Sequence, residues 1–393
     1  MTKPRPESLL TPEFWTLMAC ASVYFLGNGA LNALLPRYVV DELGGTEVTA
    51  GVVMGSMAVS ALFTRMWFGR LGDMRGARRV LVVGSAFATL AMCVLAAIPS
   101  VPGAIAARLI LGCGNAAVMT ASTMLSIELA PESRRSEAAS YILISFHIGM
   151  GLGPSAAEAL LALLGYGWIW FVAAGATLSA GLIATQLSHR PGDPHAVPAP
   201  LVHPNALWPG SVSLFGVFAF NGFMMFVPLY AREVGLDDVG AIFLVSSITI
   251  VIVRIAFGRV PDQIGPIRAG SLALGLTVVA ALVVAFWKAP AGLFVGAAML
   301  ACGLSLQSPS FIAVAVAGVP PNERGAAMAT YTGFFDIANA VIGPLFGLIA
   351  SGIDYRAAFL TAGAMSLIAL AILNGIVAPR WRAAVAGAAP TAS

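Results

Sequence analysis

Four side chains that can carry a charge lie inside long apolar stretches of the sequence: Arg108, His147, Glu158 and Asp336. A charged group in an apolar environment costs several kcal/mol, so such residues are rare and tend to serve a function. Desolvation raises the pKa of a carboxylate, which can then bind and release a proton near neutral pH. These residue types predict proton exchange, and an arginine nearby would stabilise the ionised carboxylate.

Each of these residues also has a simpler interpretation. Arg108 lies about two turns into its stretch, so its side chain can reach the surface. Asp336 shares a helix face with Thr332 and Asn339 and can form a structural ion pair. His147 and Glu158 are eleven residues apart, which places them on one face about 20° apart. Glu158 lies late in its stretch, near an interface.

Uncharged amides form a second group of candidates. They are Asn28, Asn32, Asn221, Gln307 and Asn339. Amide groups in apolar helices can bind a polar substrate, or they can hydrogen-bond to a neighbouring helix. The sequence leaves both interpretations open for each amide.

The composition identifies the environment of these side chains. Of the 393 residues, 59% are hydrophobic and 10% are charged, whereas soluble domains average about 25% charged residues. The chain is therefore predicted to be an all-α, multi-pass membrane protein. It has no P-loop, HExxH sequence or nucleophile elbow, so no enzymatic activity, cofactor or metal is expected. The four cysteines lie in apolar stretches without CxxC spacing, which gives no disulfide framework.

Twelve apolar spans are predicted, separated by short polar or Gly/Pro-containing segments. Their approximate bounds are 14–36, 48–68, 80–99, 102–128, 137–163, 167–187, 209–230, 239–257, 267–286, 290–318, 325–350 and 356–377. Residues 189–206 form a proline-rich linker whose histidines are expected to be solvated. The tail after Arg380 is expected to be disordered.

An internal repeat relates the two parts of the chain. Residues 69–79 (GRLGDMRGARR) return as residues 258–268 (GRVPDQIGPIR), an offset of 189 positions. Pro36-x-Tyr38 recurs as Pro228-x-Tyr230, Pro131 before span 5 as Pro321 before span 11, and Gly153-Pro154 as Gly343-Pro344. A nearly constant offset predicts two pseudo-symmetric six-helix halves, residues 1–188 and 207–393, joined by the linker. Parallel halves of this kind place a substrate site at their interface.

Basic residues are unequally divided between the two ends of the spans. Of the 21 lysines and arginines, four lie on the side away from the tails and three lie within spans. The other fourteen lie on the side of both tails: Lys3, Arg5, Arg70, Arg75, Arg78, Arg79, Arg134, Arg135, Arg190, Arg259, Arg268, Arg324, Arg380 and Arg382. The positive-inside rule then predicts cytoplasmic termini and a cytoplasmic linker in a plasma (cytoplasmic) membrane.

A polar motif between spans 2 and 3 that recurs between spans 8 and 9 resembles the signature loop of the major facilitator superfamily. That resemblance implies a conformational gate formed by Gly69, Asp73, Gly76, Arg78 and Asp262, in which the acid holds the cytoplasmic side closed.

Two further patterns carry the resemblance. Arg108-x-x-x-Gly112-x-Gly114 resembles a motif linked to proton transfer in proton-coupled members. Gly149-Met-Gly-Leu-Gly153-Pro154 resembles the antiporter motif of drug exporters, in which the glycines allow close helix packing and the proline can bend the helix.

The resemblance implies a secondary active transporter that uses alternating access. We expect proton-coupled efflux of small organic molecules, with protons, a small-molecule substrate and the lipid bilayer as partners. A monomer is expected, and no nucleic acid. Uptake by a symporter or uniporter of a small metabolite such as a sugar stays open, as does a non-transporting membrane receptor or scaffold.

Overall fold

The chain folds almost entirely into helices in the computed structural model, which describes residues 9–131, 134–189, 202–258, 260–320 and 323–387. The α-helices are α1 Pro12–Asp41, α2 Glu47–Arg75, α3 Ala77–Ala97, α4 Val101–Leu129, α5 Arg135–Ala184, α6 Pro204–Gly216, α7 Phe218–Glu233, α8 Gly240–Phe257, α9 Val260–Ile264, α10 Pro266–Phe286, α11 Pro290–Val316, α12 Arg324–Gly352, α13 Tyr355–Ile372 and α14 Ala378–Gly387. The π-helical turn Leu373–Val377 joins α13 to α14.

All twelve predicted spans lie in helices, and the all-α prediction is confirmed. Within the described residues, eleven helical stretches are long and apolar enough to cross a membrane. One of them, in α5, contains both span 5 and span 6, because the backbone breaks only at Gly165, where φ is 70°. Span 7 is divided between α6 and α7. Proline in the first turn marks the starts of α4, α6, α10 and α11, where its missing N–H costs no helical hydrogen bond.

The repeated motif is more helical than the sequence predicted. Spans 2 and 3 were expected to end at residue 68 and begin at residue 80, but α2 extends to Arg75 and α3 begins at Ala77. Gly69 and Gly72 are therefore helical, and the turn is made at Gly76 with φ 88°. Its counterpart Gly265, before α10, has the same φ of 88°. Both positions use a left-handed conformation that favours glycine.

The chain separates into two compact units. The first contains α1 up to Leu34 and the chain from Val59 through α5. The second contains Leu35–Ala58 together with α6 and all later helices. The predicted halves, residues 1–188 and 207–393, stay a prediction; in the contact grouping of the structure, the end of α1 and the beginning of α2 belong to the second unit. Within the first unit, α3 packs against both α4 and α5.

Two expectations about the polar segments need correction. Residues 190–201 of the linker lie outside the described residues, but residues 204–206 begin α6. His203, expected to be solvated, is buried: its backbone N–H donates to Thr330 Oγ1 at 2.8 Å, and its ring contacts Glu323 at 3.2 Å. His203 also caps α6, since its Nδ1 accepts a hydrogen bond from the backbone N–H of Asn205.

The second correction concerns the tail. The described tail is helical to Gly387, because alanine and arginine, good helix formers, continue the last span. Residues 388–393 of the expected disordered tail lie outside the described residues.

The segment before span 5 is described only in part, since residues 132 and 133 lie outside the described residues, as do residues 321 and 322 of the repeated segment before span 11. Arg134 forms an ion pair with Glu137 at 2.7 Å. Hydrogen bonding to that carboxylate raises the pKa of the Arg134 guanidinium. The pair is exposed to solvent, so its contribution to stability is small.

Candidate functional site

A polar seam runs between α1 and α4 in the first unit. Arg108 is only 3% exposed, and its guanidinium donates to Asn32 Oδ1 at 3.3 Å. The side chain is therefore held inside the unit, which argues against simple extension of Arg108 to the surface. Asn32 also directs its amide toward the sulfur of Met150 in α5, at 3.9 Å. Two predicted candidates, Arg108 and Asn32, are thus brought together.

The second contact of this seam includes a residue that the sequence analysis missed. Asn28 Nδ2 donates to Asn115 Oδ1 across the two helices at 3.4 Å. Asn28 precedes Asn32 by four residues and Asn115 follows Arg108 by seven, so each pair occupies one face of its helix. The seven-residue spacing from Arg108 could have identified Asn115 as a residue of the same helix face.

The predicted packing face of span 5 lies against α1. A Cβ atom on Gly149 would be 2.5 Å from Phe25 Cβ, and one on Gly153 would be 2.4 Å from the carbonyl oxygen of Leu26. Pro154 approaches Gly29, where an added Cβ would lie 3.1 Å from the proline Cδ. Only glycine permits this approach of the two backbones.

The candidate titratable residues of α5 differ in burial. His147 is buried, with its ring edge-on to Phe146 at 5.0 Å between centroids. Glu158 is half-buried. Both residues make further contacts within the protein. Histidine and glutamate side chains are both able to exchange protons.

The amides of the second unit bond to neighbouring helices. Asn221 in α7 donates to Asn339 Oδ1 in α12 at 2.8 Å, which joins two predicted substrate contacts directly. Gln307 in α11 donates instead to Thr277 Oγ1 in α10 at 2.7 Å. Sequence reasoning missed Thr277, which is one threonine among many apolar residues of span 9. These contacts favour the interhelical interpretation of the amides in the observed arrangement.

Asp336 is the most deeply buried carboxylate among the predicted candidates. It lies in the middle of α12, it is 5% exposed, and it makes contacts within the protein. Asn339 lies one turn later and donates to the carbonyl oxygen of Phe335. No cluster of three or more metal-ligating side chains occurs among the residues that the structure describes. The carboxyl and amide groups of this site can exchange a proton and form hydrogen bonds.

Comparison with known proteins identifies the family. The model of the Major Facilitator Superfamily matches residues 17–304, which is more than half of the chain. The chain belongs to the major facilitator superfamily. It is 27% identical to an uncharacterised MFS-type transporter from Salmonella typhimurium, over 91% of this chain and 95% of that protein. A similar relative from Burkholderia mallei is 26% identical over 98% and 97% of the two chains. The protein is thus a multi-pass membrane transporter.

Solved structures support the same fold at low identity. A peptide transporter named POT superposes with a TM-score of 0.80 at 15% identity, covering 93% of this chain and 94% of that one. The human organic anion transporter MFSD10 superposes with a TM-score of 0.72 at 18% identity, covering 92% of this chain and all of that one. At these identities the likeness concerns the major facilitator fold alone.

The signature loop of this superfamily member lies at the ends of α2 and α3. Asp73 and Asp262 are exposed. Gly69 has open space beside it, because the nearest atom of another helix would lie 4.0 Å from an added Cβ. Arg78 donates to the carbonyl oxygen of Thr185 at 2.6 Å, just beyond the end of α5. A cation at the carbonyl end of a helix is favourable, so Arg78 links α3 to the end of α5 within the first unit.

A set of contacts within the second unit, which we call the clasp, involves the beginning of α2. It joins the end of α1 and the beginning of α2 to the rest of the second unit. Arg232 forms a bidentate ion pair with Asp41. Arg37 donates to the carbonyl oxygen of Asp237 at 2.8 Å. Two closely packed helices, α2 and α12, complete it, because a Cβ on Gly51 would lie 2.1 Å from the carbonyl oxygen of Gly343.

Both helices of the clasp carry glycines four residues apart, a spacing that allows close packing. Gly55 follows Gly51 in α2, and a Cβ there would lie 2.9 Å from the carbonyl oxygen of Ala340. Gly347 follows Gly343 in α12, and a Cβ there would lie 2.5 Å from the carbonyl oxygen of Glu47. The sequence analysis aligned Gly343 with Gly153 but missed this pairing of glycines on two distant helices.

Proposed function

We propose that this transporter exports small organic molecules in exchange for protons by alternating access. The observation that carries the proposal is the 5% exposure of Asp336 within a membrane-spanning helix. A carboxylate inside a membrane-spanning helix can bind either a proton or a cationic or hydrogen-bonding ligand. A substrate that binds one protonation state more tightly would then be coupled to proton release.

The polar side chains of the two units have separate roles in this proposal. Arg108 and Asn32 form a positive, hydrogen-bonding group in the first unit that can contact a polar part of the substrate. Asn221 and Asn339 can exchange their mutual hydrogen bond for bonds to substrate. His147 and Glu158 are a second proton-exchanging pair on α5. Each interhelical bond keeps a buried amide satisfied while no substrate is bound.

Export is favoured over uptake by the glycine-rich contact of α5 with α1. The contact places Gly149 and Gly153 directly against the α1 backbone and contains Pro154, as the resemblance to the antiporter motif implies. Helices without intervening side chains can slide or tilt with little repacking.

We further infer that the transporter lies in the plasma (cytoplasmic) membrane as a monomer with cytoplasmic termini. The excess of basic residues on the side of the tails supports this orientation. In that orientation the signature loop faces the cytoplasm, and the clasp faces outward. Opening toward the outside would then separate the clasp, and opening toward the cytoplasm would leave it intact.

The test is transport by the purified protein in proteoliposomes against a panel of organic cations, anions and neutral sugars, with and without a proton gradient. Asp336→Asn keeps the size of the side chain and removes its carboxyl group. This variant should exchange labelled substrate across the membrane but should not accumulate it against a gradient. Glu42→Gln, at an exposed position near the end of α1, is the matched control and should behave like the parent.

Other outcomes redirect the proposal. If Asp336→Asn accumulates substrate normally whereas Glu158→Gln does not, the coupling site lies in α5. If both variants behave like the parent, proton coupling through these carboxylates is wrong. Substrate accumulation driven in the direction of proton entry would identify an uptake symporter instead of an exporter.

A further inference from the structure

The C-terminal helix α14 brings an arginine against an aromatic ring at the start of α6. The guanidinium carbon of Arg380 lies 4.7 Å from the centre of a ring of Trp208. Both side chains are exposed, Trp208 to 40%. Among the described residues, no carboxylate forms an ion pair with Arg380. The pair therefore presents a positive charge to the surroundings on an aromatic surface.

Helix α10 begins beside α14. Ser271 in α10 and Asn374 in the π-helical turn before α14 exchange hydrogen bonds at 3.2 and 3.1 Å. Further along α10, a Cβ on Gly363 of α13 would lie 3.3 Å from Cβ of Ala281. These two contacts show that α10 and α13 are antiparallel, so the first turn of α10 and the start of α14 lie at the same end of the second unit.

The three helices share an apolar support at this end. Trp381 of α14 and Ile267 of α10 pack against one buried cluster, which includes Ala206 of α6. Arg268 follows Ile267, Arg382 follows Trp381, and both arginines are exposed. An apolar side turned inward and a basic side turned outward are typical of a helix that lies at a membrane surface. We call the surface formed by Trp208, Arg268, Arg380 and Arg382 the basic end.

The basic end lies where apolar spans begin. Leu272, one turn after Arg268 in α10, is 66% exposed, so an apolar surface continues directly from the exposed arginine. Tryptophan and arginine are both common at the boundary between lipid and water. A basic group beside an exposed apolar surface matches the two parts of a phospholipid, its headgroup and its acyl chains.

The balance of charge favours an anionic headgroup. By sequence, the second half carries five arginines and two carboxylates on the side of the tails. The other side of the spans carries four basic and seven acidic residues. Charges of both signs lie close together there, since Lys288 and Asp354 both act electrostatically on Glu233. Positive charge in excess therefore occurs only on the side of the tails, and basic residues at a membrane surface attract anionic lipids.

We propose that the basic end binds the headgroup of an anionic phospholipid, with Arg380 as the main contact. Trp208 holds the guanidinium through its ring face. A guanidinium above a ring still donates through the N–H groups at its edge, whose geometry matches two phosphate oxygens. The acyl chains lie along the exposed face of α10 at Leu272. The lipid thus joins the end of the last span to the starts of α6 and α10, independently of the substrate, the coupling ion and the direction of transport.

The test is native mass spectrometry of the full-length protein, released from detergent micelles that contain phosphatidylglycerol or phosphatidylcholine. The two lipids have the same acyl chains, and only phosphatidylglycerol carries a net negative charge. The parent protein should bind the first phosphatidylglycerol molecule severalfold more tightly than the first phosphatidylcholine. Equal affinities overturn the proposal.

A pair of variants tests the position of the site. Arg380→Gln should weaken the binding of phosphatidylglycerol about fivefold, which is about 1 kcal/mol at 1.4 kcal/mol for each factor of ten. Arg356→Gln is the matched control, because the Arg356 guanidinium also lies over an aromatic ring, 4.2 Å from the centre of Phe286, at the other end of α10. This variant should bind phosphatidylglycerol like the parent. An unchanged affinity in Arg380→Gln, or an equal loss in Arg356→Gln, refutes the site.

Glycerol phosphate separates a lipid site from a site for free phosphate, because it has the phosphate without acyl chains. It should not displace phosphatidylglycerol at equal concentration, and displacement would overturn the assignment to a lipid. The comparison of the two lipids on the parent protein decides the preference for an anionic headgroup even if a variant fails to fold. A failure of proton-coupled transport would change none of these results.

Discussion

The glycine contact in the clasp should respond sharply to the addition of one methyl group. An alanine Cβ at position 343 would lie 2.2 Å from the carbonyl oxygen of Gly51, and one at position 51 would lie 2.1 Å from the carbonyl oxygen of Gly343. Ordinary van der Waals contact begins at 3.4 Å. The two backbones would therefore have to separate by more than 1 Å, and neither carbonyl belongs to a flexible side chain that can move aside.

The size of the effect follows from the cost of overpacking. Inserting a methyl group into a well-packed contact costs about 1–3 kcal/mol. This cost applies only while α2 and α12 are in contact. If the clasp separates during transport, as we propose, Gly343→Ala shifts the equilibrium toward the separated state by about 5-fold to 150-fold, at 1.4 kcal/mol for each factor of ten.

Cysteine accessibility measures this equilibrium. Met54, buried in α2 between Gly51 and Gly55, is changed to cysteine in a background without the four native cysteines. Its labelling rate with a membrane-impermeant maleimide should rise in Gly343→Ala by a factor within that range. Gly275→Ala is the control, because nothing lies within 4 Å of its added Cβ. It also reproduces the gain in helix propensity that alanine gives over glycine.

Two outcomes bear on the reasoning behind this prediction. If Gly343→Ala and Gly51→Ala both label at the parental rate while remaining monodisperse and membrane-inserted, the clasp does not separate during transport. If Gly275→Ala accelerates labelling as strongly as Gly343→Ala, the effect arises from helix propensity or global destabilisation rather than from the contact.

Three further predictions concern the ends of the helices. Gly76→Ala should lower the thermal stability measured in detergent, because alanine at a φ of 88° is strained by about 1–2 kcal/mol; unchanged stability would mean that the turn relaxes freely. A double-mutant cycle of Arg232→Ala and Asp41→Ala, on transport-competent protein, should show a coupling of about 0.2–1 kcal/mol in unfolding free energy. The coupling is small because the ion pair is partly exposed. Strictly additive effects would mean that the ion pair does not stabilise the clasp. Asp73→Asn should insert and bind substrate normally but transport it much more slowly, as the gate implied by the family resemblance requires; parental transport rates would contradict that role.

The sequence predicted the helices well because their signal is local. Long apolar runs bounded by proline, glycine and charged residues leave few alternatives in a membrane, where every backbone polar group must be satisfied within the helix. The predicted end of span 2 at residue 68 was wrong, because polar residues were interpreted as the end of the helix. Arg70, Asp73 and Arg75 are polar, but polarity does not end a helix, and α2 continues until Gly76 provides the left-handed turn.

The contacts of the candidate residues could be predicted only in part. Asn32 and Arg108 were identified because a polar side chain in an apolar span is conspicuous. Asn115 and Thr277 are also polar residues in apolar spans, but neither belongs to a motif that would have singled it out. Partners on separate helices follow from the angle and register of helix packing, which depend on many side chains at once.

The two units share the backbone conformation of their repeated turns but differ in their buried polar side chains. Gly76 and Gly265 have the same φ although their flanking residues differ, because the turn that joins two antiparallel helices admits few conformations. The polar contacts do not follow the repeat in this way. The first unit pairs an arginine with an amide in Arg108–Asn32, whereas the second pairs two amides in Asn221–Asn339 and buries a carboxylate in α12. A repeat constrained by folding alone would keep the helices and the turns, and the divergence of the buried polar groups is consistent with the coupled transport proposed above.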